Sequence, residues 1–157
     1  MRHRLTRLVP YSAVDIFELV GDVEAYPKFV RWITELRAWD RRPGGEGIEV
    51  VDAEATVRFG PIRERFSTRV TLDRPRLAID VALISGPFRR LENRWRFTPA
   101  AQGSELSFDI DFQMRSRLLE RLLDANIELA AGRLIRCFED RAAELYGGRS
   151  CKRPTGS

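Results

Sequence analysis

Glu105-Leu106-Ser107-Phe108-Asp109-Ile110-Asp111-Phe112-Gln113-Met114 alternates polar and apolar side chains without a break, and the alternation stops at Arg115. A β-strand turns successive side chains to opposite faces. The stretch therefore predicts a strand with a dry face of Leu106, Phe108, Ile110, Phe112 and Met114 and a wet face carrying Asp109 and Asp111. From residue 115 to 146 the period changes: Leu119, Leu123, Ile127, Ala130, Leu134, Phe138, Ala142 and Leu145 recur every three or four residues, the spacing of an amphipathic helix. At 1.5 Å per residue that helix is roughly 45 Å long. It would overhang a small flat sheet, so a twisted, curved sheet wrapped against it is the expected arrangement, an α+β architecture.

Working back toward the N-terminus, three more apolar rows have period two. They are Phe66, Thr68, Val70 and Leu72; Leu77, Ile79, Val81 and Leu83; and Leu91, Asn93, Trp95 and Phe97. Turn signals separate the runs at Pro43-Gly44-Gly45, Gly60-Pro61, Asp73-Arg74-Pro75, Gly86-Pro87 and from Pro99 to Gly103. Runs this short, joined by such turns, predict an antiparallel meander with one wet face. Residues 2–9 read as an opening strand. Ser12 is placed to cap a helix over Ala13–Val20, and residues 26–30 to add one more helical turn.

The 157 residues suit one domain, taken as residues 1–147, followed by a basic, disordered tail over 148–157. The chain carries +4, with 25 of its 27 cations arginine. Arg149, Lys152 and Arg153 lie in the tail, so residues 1–146 are nearly neutral. The basic pI near 9.6 thus says little about what the domain binds. Arg63, Arg65 and Arg69 fall on the face opposite Phe66 and Val70, which argues against stacking single-stranded nucleic acid on the sheet, and DNA is not an expected partner. Cys137 and Cys151 are too few for a disulfide scaffold or a four-cysteine zinc site, and a reducing cytoplasm is the simplest location.

Catalytic signals are sparse. His3 is the only histidine and reads as a solvated terminal residue. No nucleophile elbow, phosphate-cradling loop or zinc-binding helix motif occurs. Asp109 and Asp111 share a strand face, but the wet one; a cross-strand ladder with Arg94 and Arg96 is the expected use. No catalytic residue and no metal ligand is assigned. The dry side is more informative. Asn93 interrupts an apolar row, and Asn126 stands beside Leu122, Leu123, Ile127 and Ala130. A buried amide is costly unless hydrogen-bonded, about 1–3 kcal/mol. Two readings stand: each amide satisfies the backbone, or each meets the few polar atoms of a ligand in an apolar cavity. Gly132 marks either close packing or room for a ligand. The aromatic segment Tyr26, Phe29, Val30 and Trp32 is either a core plug or an amphipathic gate.

Blocks in order along the chain resemble the coenzyme Q-binding START-like proteins of the polyketide cyclase/dehydrase superfamily. They are Val9-Pro10-Tyr11-Ser12-Ala13, Phe17-Glu18-Leu19-Val20, Asp22-Val23-Glu24-Ala25-Tyr26-Pro27-Lys28-Phe29, Gly86 through Phe97, Arg115-Ser116-Arg117-Leu118-Leu119 and Phe138 through Gly147. The resemblance implies a helix-grip fold, with six or seven antiparallel strands around the C-terminal helix and a hydrophobic tunnel between them. It implies non-enzymatic binding of a ubiquinone-like lipid in support of respiration or quinone biosynthesis, with ubiquinone as bound ligand and no other cofactor, and transient contact with the inner membrane. A bacterial branch of toxin-like proteins acting on ribosomal subunit association, and the polyketide aromatase/cyclases, supply two alternatives. After Phe29 the usual Leu-Pro-Trp-Cys is replaced by Val30-Arg31-Trp32-Ile33, a departure at the tunnel entrance. On this reading Phe29, Trp32, Phe66, Leu83, Phe88, Leu91, Trp95, Phe112, Leu122 and Leu123 line the tunnel, with Asn93 and Asn126 facing the quinone head.

Overall fold

A computed structural model of the chain describes residues 2–59 and 62–147; the predicted tail 148–157 lies outside the described residues. The elements run β1 (Arg2–Val9), α1 (Ala13–Gly21), a short 3₁₀ helix (Val23–Lys28), β2 (Ile33–Gly45), β3 (Ile48–Phe59), β4 (Ile62–Asp73), β5 (Ala78–Ser85), β6 (Phe88–Ala100), β7 (Gly103–Met114) and α2 (Arg117–Tyr146). The strands form one seven-stranded sheet in the order β1-β7-β6-β5-β4-β3-β2, antiparallel throughout. Strands β2 to β7 are the predicted meander: it turns at residues 74–77, at Gly86-Pro87 and between Ala100 and Gly103 as expected, Pro43-Gly44-Gly45 forms the end of β2 just before the turn at 46–47, and Gly60-Pro61 lies outside the described residues. Strand β1 joins the far edge beside β7, so α1 and the 3₁₀ helix carry the chain from one edge of the sheet to the other. Gly86 makes the β5–β6 turn with φ +150°, and a Cβ there would stand 2.5 Å from Phe66 Cβ; only glycine fits.

Local chemistry sets the helix ends. Ser12 Oγ accepts the Asp15 N–H at 3.1 Å and starts α1; Ser116 Oγ accepts the Leu119 N–H at 3.2 Å and starts α2. Glu120 reaches back to take the Met114 N–H at 3.0 Å, tying the end of β7 to the first turn of α2. The buried stripe of α2 is Ile127, Ala131, Ile135, Phe138 and Ala142. The expected stripe therefore needs correction in the C-terminal half: Ala130 and Leu134 are half-buried and Leu145 is exposed. A shift of one residue turns a helix by about 100°, and the sheet meets the Ala131–Ile135 side.

The interior separates into two apolar clusters. The larger packs α1 and the C-terminal half of α2 on the sheet, with Phe17, Val20, Ile79, Trp95, Phe97, Leu106, Phe108, Ile135 and Phe138. The smaller, around Phe88, Leu91, Phe112, Met114 and Ile127, lies under the N-terminal half of α2. One predicted row also changes: Leu77 leaves β5 for the preceding turn with φ 51°, and Ala78 is buried beside Ile79.

On the outer face the carboxylates are paired, in a different pattern from the predicted ladder. Arg4 Nη2 donates to Asp109 at 2.8 Å and Arg2 adds a second bond from β1. Asp111 takes Arg90 at 2.9 Å, and Arg96 bonds Asp80 at 3.0 Å. Strand β1 was the missing neighbour: its arginines stand across from Asp109 and Asp111 in the register. Asp52, 5% exposed, is bound by Arg69 through Nε at 3.0 Å and Nη2 at 3.2 Å and by Arg42 at 3.4 Å. Those hydrogen bonds hold its carboxyl below the usual carboxylate range, with burial opposing.

Candidate ligand-binding site

The inner face of the sheet is apolar, with few polar side chains. Trp95 occupies its centre, edge-on to Phe108 at 4.8 Å and to Phe138 of α2 at 5.6 Å, and stacked along Phe97 at 6.3 Å. Its indole N–H donates to Asn93 Oδ1 at 2.8 Å, and Asn93 Nδ2 donates to the Asp109 carbonyl at 3.0 Å. The satisfied-amide reading of Asn93 thus holds, and the amide fixes the orientation of Trp95. One N–H and one lone pair of that amide are left over.

Asn93 lies across from Val81 on β5 and Ile110 on β7, and all three are only half-buried although they sit mid-strand on the concave side. Phe66, Leu83, Leu119 and Leu123 are likewise half-buried at the margin of the smaller cluster. Ile110 touches both clusters, so the seam between them is where solvent reaches the inner face. The backbone of α2 runs closer to β1, β7 and α1 than to β3, β4 and β5. Phe66, Leu83 and Val81 are the half-buried apolar side chains of β4 and β5 on that inner face. Thr68, buried at 7% exposure, lies on the same face across from Ala53 and Leu83. Neither Asn93 nor Thr68 has an acid or a base directly across from it in the sheet.

The structure brings most of the predicted lining residues together. Phe66, Leu83, Phe88, Leu91, Phe112 and Leu123 share the smaller cluster, and Trp95 lies beyond Asn93 in the larger one. Phe29 stands farther off, against Phe138 at 5.4 Å and Tyr26 at 6.0 Å, with the Arg141 guanidinium over its ring at 5.6 Å. The Tyr26 hydroxyl donates to the Val20 carbonyl, and Val30 is fully buried. Of the two readings for this segment, Tyr26, Phe29 and Val30 follow the plug. Trp32 is half-buried just before β2, its carbonyl accepting the Arg58 N–H at 2.8 Å.

Two predicted residues are corrected. Leu122 is 45% exposed, and Asn126 is exposed with its amide donating to the Leu122 carbonyl at 2.7 Å. Both lie on the solvent side of α2, turned about 100–180° from Ile127 and Ala131. A Cβ on Gly132 would meet nothing within 4 Å, so this glycine marks no close packing. His3 is a third correction. Its Nε2 meets Asp124 Oδ1 of α2 at 2.9 Å, and its ring stacks on Phe112 at 6.3 Å. The alternation His3, Leu5, Arg7, Val9 against Arg2, Arg4, Thr6, Leu8 carries that signal, because it puts His3 on the inner face.

Two titratable groups near the interior are shifted up by burial. Burial and Asp140 push the Cys137 thiol up, against the opposing charge of Arg31. Burial, with Asp22 adding to it, raises the Tyr26 phenol as well. Among the described residues no cluster of three or more His, Cys, Asp or Glu is placed to hold a metal ion, and no helix is long and apolar enough to cross a membrane.

A seven-stranded antiparallel sheet curved against a long C-terminal helix, with an apolar inner face, defines the helix-grip, START-like class. The family profile described as polyketide cyclase / dehydrase and lipid transport matches residues 9–139, and the chain belongs to this family. A ribosome association toxin of Rickettsia prowazekii is 33% identical over 143 residues, covering 89% of this chain and 94% of the relative. A mitochondrial coenzyme Q-binding protein homologue of Xenopus laevis is 25% identical over 146 residues, covering 90% of this chain and 58% of the relative. The solution structure of an 18 kDa Caulobacter crescentus protein superposes with TM-score 0.81 at 50% identity, covering 94% of this chain and 99% of that one.

Proposed function

We propose that the chain binds an apolar molecule with a long tail and a small polar head, of the ubiquinone type, between α2 and the concave face of β4 to β7, and performs no chemical step on it. The observation behind this is the half-buried seam of Val81, Asn93 and Ile110 between two well-packed clusters. A filled core would be driest there. The spare hydrogen-bonding capacity of Asn93 suits a head group. The apolar walls suit a tail held by area, at about 25 cal/mol per Å² removed from water. The coenzyme Q-binding name of the Xenopus relative agrees with that chemistry. Work on a quinone places the protein on the cytoplasmic side of the inner membrane, as a peripheral visitor. The test is organic extraction of the purified protein followed by mass spectrometry, with titration of added ubiquinone.

A second reading is favoured by the toxin name of the Rickettsia relative, which spans nearly the same length: action on the association of ribosomal subunits. It predicts cosedimentation of the protein with one subunit, weakening as salt rises. A cyclase reading ranks third, because neither Asn93 nor Thr68 has an acid or a base directly across from it in the sheet.

A further inference from the structure

The first turns of α2 meet the start of β6 and the end of β7 around an open cleft of about 360 Å³. Arg89, Arg115, Arg117 and Arg121 line it against one carboxylate, Glu120, which is already held by the Met114 N–H. Arg89, Arg117 and Arg121 are exposed and make no ion pair among the described residues. Four guanidiniums so close together repel one another, and an anion between them relieves that repulsion.

Beside the cleft runs an apolar stripe. Leu118, Leu122 and Leu129 are 68%, 45% and 55% exposed, and with exposed Ala125 they fall on one line of α2, opposite Ile127 and Ala131. Exposed leucines aligned in this way mark a contact surface. The line continues into exposed Arg133 and Arg136 and ends at exposed Asp140, with exposed Glu128 at its edge.

We propose that this face docks on an anionic phospholipid bilayer. The arginines of the cleft take headgroup phosphates, and Leu118, Leu122 and Leu129 enter the boundary with the acyl chains. Charge complementarity selects this occupant. A second copy of the chain would set arginine against arginine. A nucleic-acid strand would satisfy the arginines but leave three leucines in water, with no aromatic ring on the stripe to stack its bases. Met114 lines the cleft and belongs to the cluster of Phe88, Leu91 and Phe112, so the docked face borders one end of the apolar interior. The docking deepens the membrane contact proposed above by naming its surface, and vesicle binding tests it separately from ligand extraction.

The test uses the full chain, tail included, in cosedimentation with vesicles of equal parts phosphatidylglycerol and phosphatidylcholine, and with phosphatidylcholine alone. Binding to the anionic vesicles only, falling as salt is added, is expected. Each arginine at such a surface strengthens binding about fivefold, so R117Q/R121Q should weaken it about 25-fold. L118S/L122S should weaken it by about tenfold or more, since two exposed leucines lose their burial. Circular dichroism checks that both variants remain folded. Wild-type binding by R117Q/R121Q overturns the proposal and assigns attraction to the tail cations. So does wild-type binding by L118S/L122S, or tighter binding to a single-stranded RNA than to the anionic vesicles.

Discussion

Asn93 does two jobs with one amide: it accepts from the Trp95 indole and donates to the Asp109 carbonyl. Its place in an apolar row made it conspicuous in the sequence; its partners were not legible, because they depend on the β6–β7 register. Trp95→Phe should keep the ring contacts with Phe108 and Phe138 and remove the donor to Asn93 Oδ1. Losing that hydrogen bond at a half-buried site costs about 0.5–1.5 kcal/mol, and Trp95→Ala about 3–5 kcal/mol, both measurable by urea denaturation. Asp52 offers a pH test. Its folded pKa is depressed by Arg69 and Arg42, so its contribution is present at neutral pH and lost as pH falls through the folded value. Asp52→Asn should therefore lower the urea midpoint at pH 7, and the gap from wild type should close in acid.

The long helix was legible as an element because its apolar repeat announces it; its cap, Ser116, came only with the structure. Its orientation was only partly legible. Over 30 residues two opposite stripes both look apolar, one through Ile127 and Ala131 and one through Leu118, Leu122 and Leu129, and a sequence read alone does not say which faces the sheet. Asn126 and Leu122 were misplaced for that reason. The His3–Asp124 contact at 2.9 Å pins the N-terminal half of α2 to β1, where packing is lighter than around Phe138. Changing His3 to Ala should speed amide hydrogen exchange across the first three turns of α2, with residues near Ile135 and Phe138 unchanged. Equal exchange in both halves would mean that the contact does not hold the helix.

At the scale of the molecule, the alternating strands and five turn signals made an antiparallel sheet against a long helix legible before any coordinates. The interior was less so: a row of apolar residues reads the same whether its neighbours fill the space beside it or stand back. What distinguishes the two is the half-buried seam at Val81, Asn93 and Ile110, a property of three-dimensional packing that a single strand's pattern does not carry. The central claim is that this seam is where an apolar ligand lies. Mass spectrometry of an organic extract of the purified protein, together with titration of ubiquinone into the extracted protein, tests it most directly. Recovery of a stoichiometric quinone or similar lipid, with binding weakened by Asn93→Leu in a folded variant, is the predicted result. An extract free of lipid, and no binding of added ubiquinone, would contradict it.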